Sequence, residues 1–266
     1  MIPFFLLIIF PLASFGLFSI GKTQCKISKE NHSWLFSSSN DKGVYDSCSI
    51  TVGGYTIISS EGESISQSNC SPSINKNLIK LEDIRSGWGN GAHPTTKLCL
   101  DFVASAINSG VCLLDYGTGS GILSILAAKL GASKCIAVDV DEDSLRAAKT
   151  NIDINSVDGV VEVIHTKSIY LGDDSFSESD ITIANILPGA LNRLGGTIWM
   201  LTKPGGLICL SGMRPHELAA IRTIYSPYVD LHTEQIEQSS HELYGNYCYL
   251  ISIFLIATII YCILEF

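Results

Sequence analysis

From Leu98 onward, short, mostly apolar runs alternate with longer stretches whose apolar residues recur at helical spacing. Leu98 to Ile107 predicts a helix, stopped by Gly110. VCLLD (111–115) predicts a strand, GILSILAAKL (121–130) a helix ending at Gly131, and CIAVDV (135–140) a second strand. DEDSLRAAKTNIDIN (141–155) reads as a helix that opens on acids and carries Lys149 towards its end, charges that suit the helix dipole. VVEVI (160–164), DITIAN (180–185) and LICLS (207–211) continue the strands. Helices over Ala190 to Met200 and His216 to Tyr225, and a turn at Lys203-Pro204-Gly205-Gly206, separate or follow them. Strands apolar on both faces, alternating with helices, imply an α/β fold whose mostly parallel sheet has helices on both faces.

The front of the chain reads differently. Ser28 to Ser73 is rich in Ser, Asn and Gly and poor in large apolar residues, so a core is hard to build there. One hairpin is expected, SITVGGYTII (49–58), turning at Gly53 and Gly54; the rest reads as loop or linker. Met1 to Ile20 carries no charged side chain and reads as a targeting segment or anchor, although no Lys or Arg precedes the apolar run and Pro11 interrupts it. At the other end, Tyr247 to Leu264 is also free of charge. VDLHTEQIE (229–237) and YCYLISIF (247–254) read as an antiparallel strand pair, which leaves an apolar remainder too short to span a bilayer. The expected plan is an apolar segment at 1–21, a Ser-rich region at 22–77, a catalytic α/β domain at 78–254 and an apolar tail at 255–266.

Composition narrows the function. With 17 Lys plus Arg against 26 Asp plus Glu, the net charge of −9 provides no footprint for phosphate backbones, so direct nucleic-acid binding is not expected and a basic protein partner fits better. Nine cysteines are scattered with no pair at metal-ligand spacing, which argues against a metal site. Cys112, Cys135 and Cys209 sit inside apolar runs and read as buried free thiols in a reducing compartment. An organelle reached through the amino-terminal segment is the expected location, with membrane-anchored and cytoplasmic placements as alternatives.

Chemistry concentrates where strands meet helices. VCLLD runs into Tyr116-Gly117-Thr118-Gly119-Ser120-Gly121 and then into a helix, a cradle in which glycine admits ligand atoms close to the backbone and helix N–H groups face them. The spacing is G-x-G-x-G, not the G-x-G-x-x-G of dinucleotide binding. Asp139 ends the next strand, 22 residues after Gly117, where a carboxylate can accept both hydroxyls of a ribose or instead cap the following helix. Asp141 and Glu142 suit cap and dipole roles better. Asn185 ends DITIAN at the carboxyl edge of the sheet, where it faces a bound ligand or caps the helix that follows.

These segments, G-x-G-x-G after LLD, AVDVD, ANIL and KPGG with LSG, occur in the order of class I S-adenosylmethionine-dependent methyltransferases. Upstream, Gly89-Asn90-Gly91-Ala92-His93-Pro94-Thr95-Thr96-Lys97-Leu98 resembles the G-x-G-x-H-P-T-T-x-L signature of the ribosomal protein L11 methyltransferase family, PrmA, and DYGTGSGILSILAAKLGA and LSGM resemble its later motifs. The likeness covers Leu81 to Tyr225. It implies a Rossmann-like sheet of seven strands, closed by an antiparallel pair, with S-adenosyl-L-methionine bound by Thr96, Gly117, Gly119, Asp139 and Asn185. Thr118 stands where the family usually has cysteine, Trp88 and Asn90 replace the usual phenylalanine and threonine, and the substrate-recruiting front domain is short and Ser-rich.

The resemblance further implies methylation of an amino group, a lysine side chain or an N-terminus, on a ribosomal protein of the L11 type. Lysine must lose its proton before attack, which an apolar pocket favours. Asn185 is the candidate to orient the neutral amine, and His93 is either a base or the hydrogen-bonding residue that shapes the loop before Pro94. Another lysine methyltransferase, such as one acting on the electron-transfer flavoprotein β-subunit, is the alternative enzyme. A non-catalytic, membrane-tethered module that kept the fold is the alternative outside enzymes, and membrane contact through the terminal segments stays open. Adenine methylation is disfavoured because Asn185-Ile186-Leu187 lacks the Asn-Pro-Pro-aromatic run that stacks a flipped base.

Overall fold

The computed structural model describes residues 19–20, 23–24, 44–45, 50–59, 77–82, 91, 93–169, 178–238 and 246–253. The targeting segment up to residue 18, the tail at 255–266 and the substitutions at Trp88 and Asn90 lie outside the described residues. The chain divides into two units, Met1–Asn40 and Asp41–Phe266. Within the first, β1 (Ser19–Ile20) pairs antiparallel with β2 (Thr23–Gln24).

Among the described residues, the second unit holds two sheets. The smaller has four strands in the order β3 (Val44–Tyr45), β4 (Ile50–Val52), β5 (Tyr55–Ser59) and β6 (Leu78–Leu81). The β4–β5 hairpin turns at Gly53 and Gly54, with φ of 57° and 77°, the left-handed conformations that a two-residue hairpin turn requires. The surroundings of this hairpin differ from expectation. β6 pairs in parallel with β5, with Ile57 opposite Ile79, so the sheet crosses the boundary expected at 77/78. Ile57, Ile79 and Leu81 are buried, and a four-residue strand is too short to announce a partner twenty residues away.

The larger sheet has seven strands in the order β12-β13-β11-β10-β7-β8-β9: β7 (Cys112–Tyr116), β8 (Lys134–Asp139), β9 (Val161–His165), β10 (Ser179–Asn185), β11 (Thr202–Met213), β12 (Asp230–Gln238) and β13 (Asn246–Ile253). Its core is a parallel ladder of five, β11-β10-β7-β8-β9. β13 enters antiparallel between β11 and β12 and closes that side, where the sequence predicts an antiparallel pair. The helices are α1 (Pro94–Ala106), α2 (Ile122–Leu130), α3 (Glu142–Ile154), α4 (Pro188–Met200) and α5 (Leu218–Tyr225).

Alternation along each strand divides the core. Leu114, Tyr116, Ile136, Val138, Ala184, Ile208 and Leu210 pack against Leu191 and Ile198 of α4 and Ile221 and Tyr225 of α5. The alternate residues turn to the face carrying α1 and α2, where Ser124 of α2 reaches Asp115 of β7. Cys99, Cys112, Cys135 and Cys209 are buried free thiols, and burial pushes Cys112, Cys135 and Cys209 towards the neutral form.

Three boundaries correct the sequence reading. α1 and α4 begin at Pro94 and Pro188, before the expected Leu98 and Ala190, because proline suits the first turn of a helix, where no N–H is required. α5 begins at Leu218, after a short 3-10 turn at Pro215–Glu217. The Lys203-Pro204-Gly205-Gly206 turn lies inside β11: Ser179 pairs with Thr202 and Ile181 with Leu207, so the extra residues bulge out, with Gly205 at φ 83°. Among the described residues, no helix is long and apolar enough to cross a membrane.

Candidate functional site

The carboxyl ends of the parallel strands bring together residues far apart in sequence. Ladder register places His165, Asp139, Asn185 and Ser211 at one edge of the sheet, with the glycine loop leaving β7 between them. In open parallel sheets this edge, on either side of the point where strand order reverses, is where ligands bind. Here the reversal lies between β7 and β10.

The loop is built on Asp115. This carboxylate is fully buried; its Oδ2 accepts hydrogen bonds from Thr118 Oγ1 at 2.7 Å and Ser124 Oγ at 2.8 Å, while its Oδ1 has no partner. Burial raises its pKa to about 6, opposed by the two hydroxyls and reinforced by the nearby charge of Asp139. Thr118, at the family's usual cysteine position, is therefore a donor that ties the loop to its anchoring acid. Gly117, Gly119 and Gly121 all have positive φ, of 84°, 54° and 83°. Gly121 caps α2 without any side-chain hydrogen bond. Backbone bonds from Gly117 and Thr118 to the Val138 carbonyl, at 2.7 and 2.9 Å, hold the loop against β8.

Asp139 does not cap α3. Its Oδ2 accepts from Gly119 N–H at 3.0 Å, and its Oδ1 accepts from Val140 and Asp141 N–H at 2.8 and 3.0 Å. The cap is Asp141, whose Oδ2 accepts from Ser144 N–H and Oγ, both at 2.9 Å. Beside Asp139, Val140 is 70% exposed, an apolar surface next to a carboxylate. His165, opposite Asp139 in the β8–β9 ladder, was not singled out by the sequence.

Asn185 does not cap α4 either. Leu187 holds the cap position, without a side-chain bond, and is itself 67% exposed. Between them Ile186 is held by two glycines: a β-carbon on Gly117 would collide with Ile186 Cγ2, and one on Gly212 with the Ile186 backbone. Gly212 belongs to LSGM, and sequence reasoning gave it no role, because a glycine in a strand shows its purpose only when its neighbour is known. Ser211, paired with Asn185, keeps a buried hydroxyl without a partner.

His93 is the N-cap of α1: its Nδ1 accepts from Thr95 N–H at 3.4 Å and meets Thr95 Oγ1 at 2.7 Å. Its carbonyl accepts from Thr96 and Lys97, and burial lowers the imidazole pKa, favouring the neutral ring. Of the two roles weighed for His93, the structure shows the loop-shaping bond. Thr96 is buried in the first turn that follows. Gly91 admits Ile50 of the small sheet into the space its side chain would need. Among the described residues, no group of His, Cys, Asp and Glu is arranged to hold a metal ion.

Residues 67–241 match the family model described as ribosomal protein L11 methyltransferase (PrmA), a span that includes every segment of this site. The chain belongs to this family. Its members in Neisseria meningitidis serogroup C and Aeromonas salmonicida, each named ribosomal protein L11 methyltransferase, are 39% and 36% identical over 160 and 161 residues. Those alignments take in 60% of this chain and 52% and 53% of the two relatives, so the chain spans about half the length of the curated PrmA proteins it matches. A crystal structure of ribosomal protein L11 methylase from Lactobacillus delbrueckii subsp. bulgaricus superposes with a TM-score of 0.56 at 24% identity, covering 75% of this chain and 93% of that one, a likeness of fold.

Proposed function

We propose that this chain is an S-adenosylmethionine-dependent protein methyltransferase acting on an amino group of a basic protein, a ribosomal protein of the L11 type. The observation that carries the reading is the PrmA match across residues 67–241, from the His93-Pro94-Thr95-Thr96 turn through the glycine loop to LSGM. The site fits the cofactor's chemistry. Glycines at 117, 119 and 121 admit a ligand close to the backbone, and the Asp139 carboxylate lies within hydrogen-bond reach of the loop that would hold a nucleoside.

When bound, S-adenosylmethionine supplies an electrophilic methyl group on a sulfonium. The protein's own work is then positioning. Asp139 accepts ribose hydroxyls, and Thr96, Gly117 and Gly119 line the remainder of the cofactor site. Asn185, held in place through Ile186, directs its side-chain carbonyl to the incoming amine. Exposed Leu187 gives the acceptor an apolar rim that disfavours its charged form. His93 sets the turn that presents Thr96.

Calorimetry with S-adenosylmethionine, followed by labelled-methyl transfer to purified ribosomal protein L11 and mass spectrometry of the product, tests this reading. Binding together with label on a lysine or the N-terminus supports it. Binding without transfer removes ribosomal protein L11 as the acceptor, and no binding removes the cofactor as well.

A further inference from the structure

Asn151 is fully buried on α3, and its amide joins two segments distant in sequence. Its Nδ2 donates to the Ser120 carbonyl, in the glycine loop, at 2.9 Å, and its Oδ1 accepts from the Glu82 N–H, just beyond β6, at 2.9 Å. One turn on, Asn155 serves β6 itself: Oδ1 accepts from Lys80 N–H at 3.0 Å, and Nδ2 donates to the Lys80 carbonyl at 2.7 Å and to the Asn151 carbonyl at 2.7 Å. Two asparagines four residues apart thus take up backbone groups of β6 that a further strand would have paired.

The two ends of an amide are not interchangeable, and each neighbour of Asn151 tolerates one of them. A backbone N–H only donates and a carbonyl only accepts, so Glu82 and Ser120 together hold the side chain in one orientation. Turned over, it would set donor against donor and acceptor against acceptor in a buried place, where unsatisfied polar groups are costly. The loop needs such a restraint. Ser120 stands between Gly119 and Gly121, both at positive φ, and glycine gives a chain freedom without a preferred path.

We propose that Asn151 is a positioning residue for the cofactor loop: it fixes the Ser120 carbonyl, and so the course of Gly119 to Gly121, while the Glu82 N–H fixes Asn151. The inference rests on the reading of this loop as the S-adenosylmethionine site. Asn155 secures the small sheet and leaves both bonds of Asn151 in place.

The test compares Asn151→Asp with Asn155→Ala in the full chain, using S-adenosylhomocysteine as the calorimetric probe and thermal melting for stability. Aspartate keeps an acceptor for Glu82 and sets its second oxygen against the Ser120 carbonyl. The expected result is affinity weakened about tenfold, against a change of less than about threefold in Asn155→Ala at a similar loss of melting temperature. In methyl transfer, the Asn151 variant should raise the KM for cofactor and keep most of its turnover at saturating cofactor. Should the aspartate fail to fold, Asn151→Ser, which is uncharged and too short to bridge, carries the same expectation. Parent-like affinity in the Asn151 variants, or an equal loss in Asn155→Ala, overturns the inference alone. A parent that does not bind the probe overturns the cofactor reading and this inference with it.

Discussion

Ile186 fills the space that a side chain on Gly117 would need, so that a β-carbon there would collide with its Cγ2. The contact links the first turn after β7 to the segment that carries Asn185, and Gly212 completes it from β11 by lying against the Ile186 backbone. Both glycines also have positive φ, 84° and 89°, which costs an alanine about 1 to 2 kcal/mol before any collision. The two substitutions should nevertheless differ in effect. Gly117→Ala distorts the loop proposed to receive the cofactor, and its expected result is at least about tenfold weaker binding by calorimetry. Gly212→Ala pushes on the backbone that presents Asn185, so turnover should fall more than cofactor affinity. Equal losses in both parameters for Gly212→Ala would separate this glycine from the presentation of Asn185.

Asp139 carries a structural task besides its proposed contact to ribose, since it receives three backbone N–H groups, from Gly119, Val140 and Asp141. Asp139→Ala should weaken cofactor binding by about 2 kcal/mol, within the ~1.5 to 3 typical of hydrogen bonds to charged groups. The isosteric Asp139→Asn is the sharper probe. Its oxygen can keep the bonds from Val140 and Asp141, but its NH2 must then face the N–H of Gly119, donor against donor. A loss close to that of alanine is expected, and an asparagine variant that binds like the parent would remove the Gly119 bond from the account.

The strands of the parallel core were legible because burial on both faces leaves mostly apolar runs, as in Cys112 to Leu114, all of it buried. The glycine loop, Asp139 and Asn185 could be placed for a related reason: strand order brings strand ends to one edge, and chemistry-bearing residues at strand ends need no tertiary knowledge to be found. Helix starts were harder. The sequence pattern places the first residues of these helices at Leu98 and Ala190, whereas Pro94 and Pro188 open them. The small sheet was legible only at its glycine turn, because β6 gains its meaning from pairing with β5 and from the amides of Asn151 and Asn155. Buried partners such as Thr118 and Ser124 on Asp115, or Gly212 on Ile186, leave no periodic trace, since a hydroxyl or a glycine fits many local patterns equally well.

Asp115 supplies a pH signature that can be read without cofactor or substrate. Burial raises its pKa from an ordinary 3.8 to about 6, with the charge of Asp139 acting in the same direction and the hydroxyls of Thr118 and Ser124 against it. The folded protein therefore binds this proton more tightly than the unfolded chain. Its contribution to stability is fully present below the unfolded value, is lost as pH rises through about 6, and is constant at higher pH. A displacement of this size corresponds to about 3 kcal/mol in all, of which about 2 kcal/mol falls between pH ~4.5 and ~7.5. Asp115→Asn removes the titration while keeping an acceptor for the two hydroxyls, and whatever its buried NH2 costs is independent of pH. Denaturant unfolding of parent and variant across that range should show the parent losing about 2 kcal/mol relative to the variant as pH rises. If the difference between them stays flat, Asp115 titrates as an ordinary carboxylate, and the loop rests on something other than a desolvated acid.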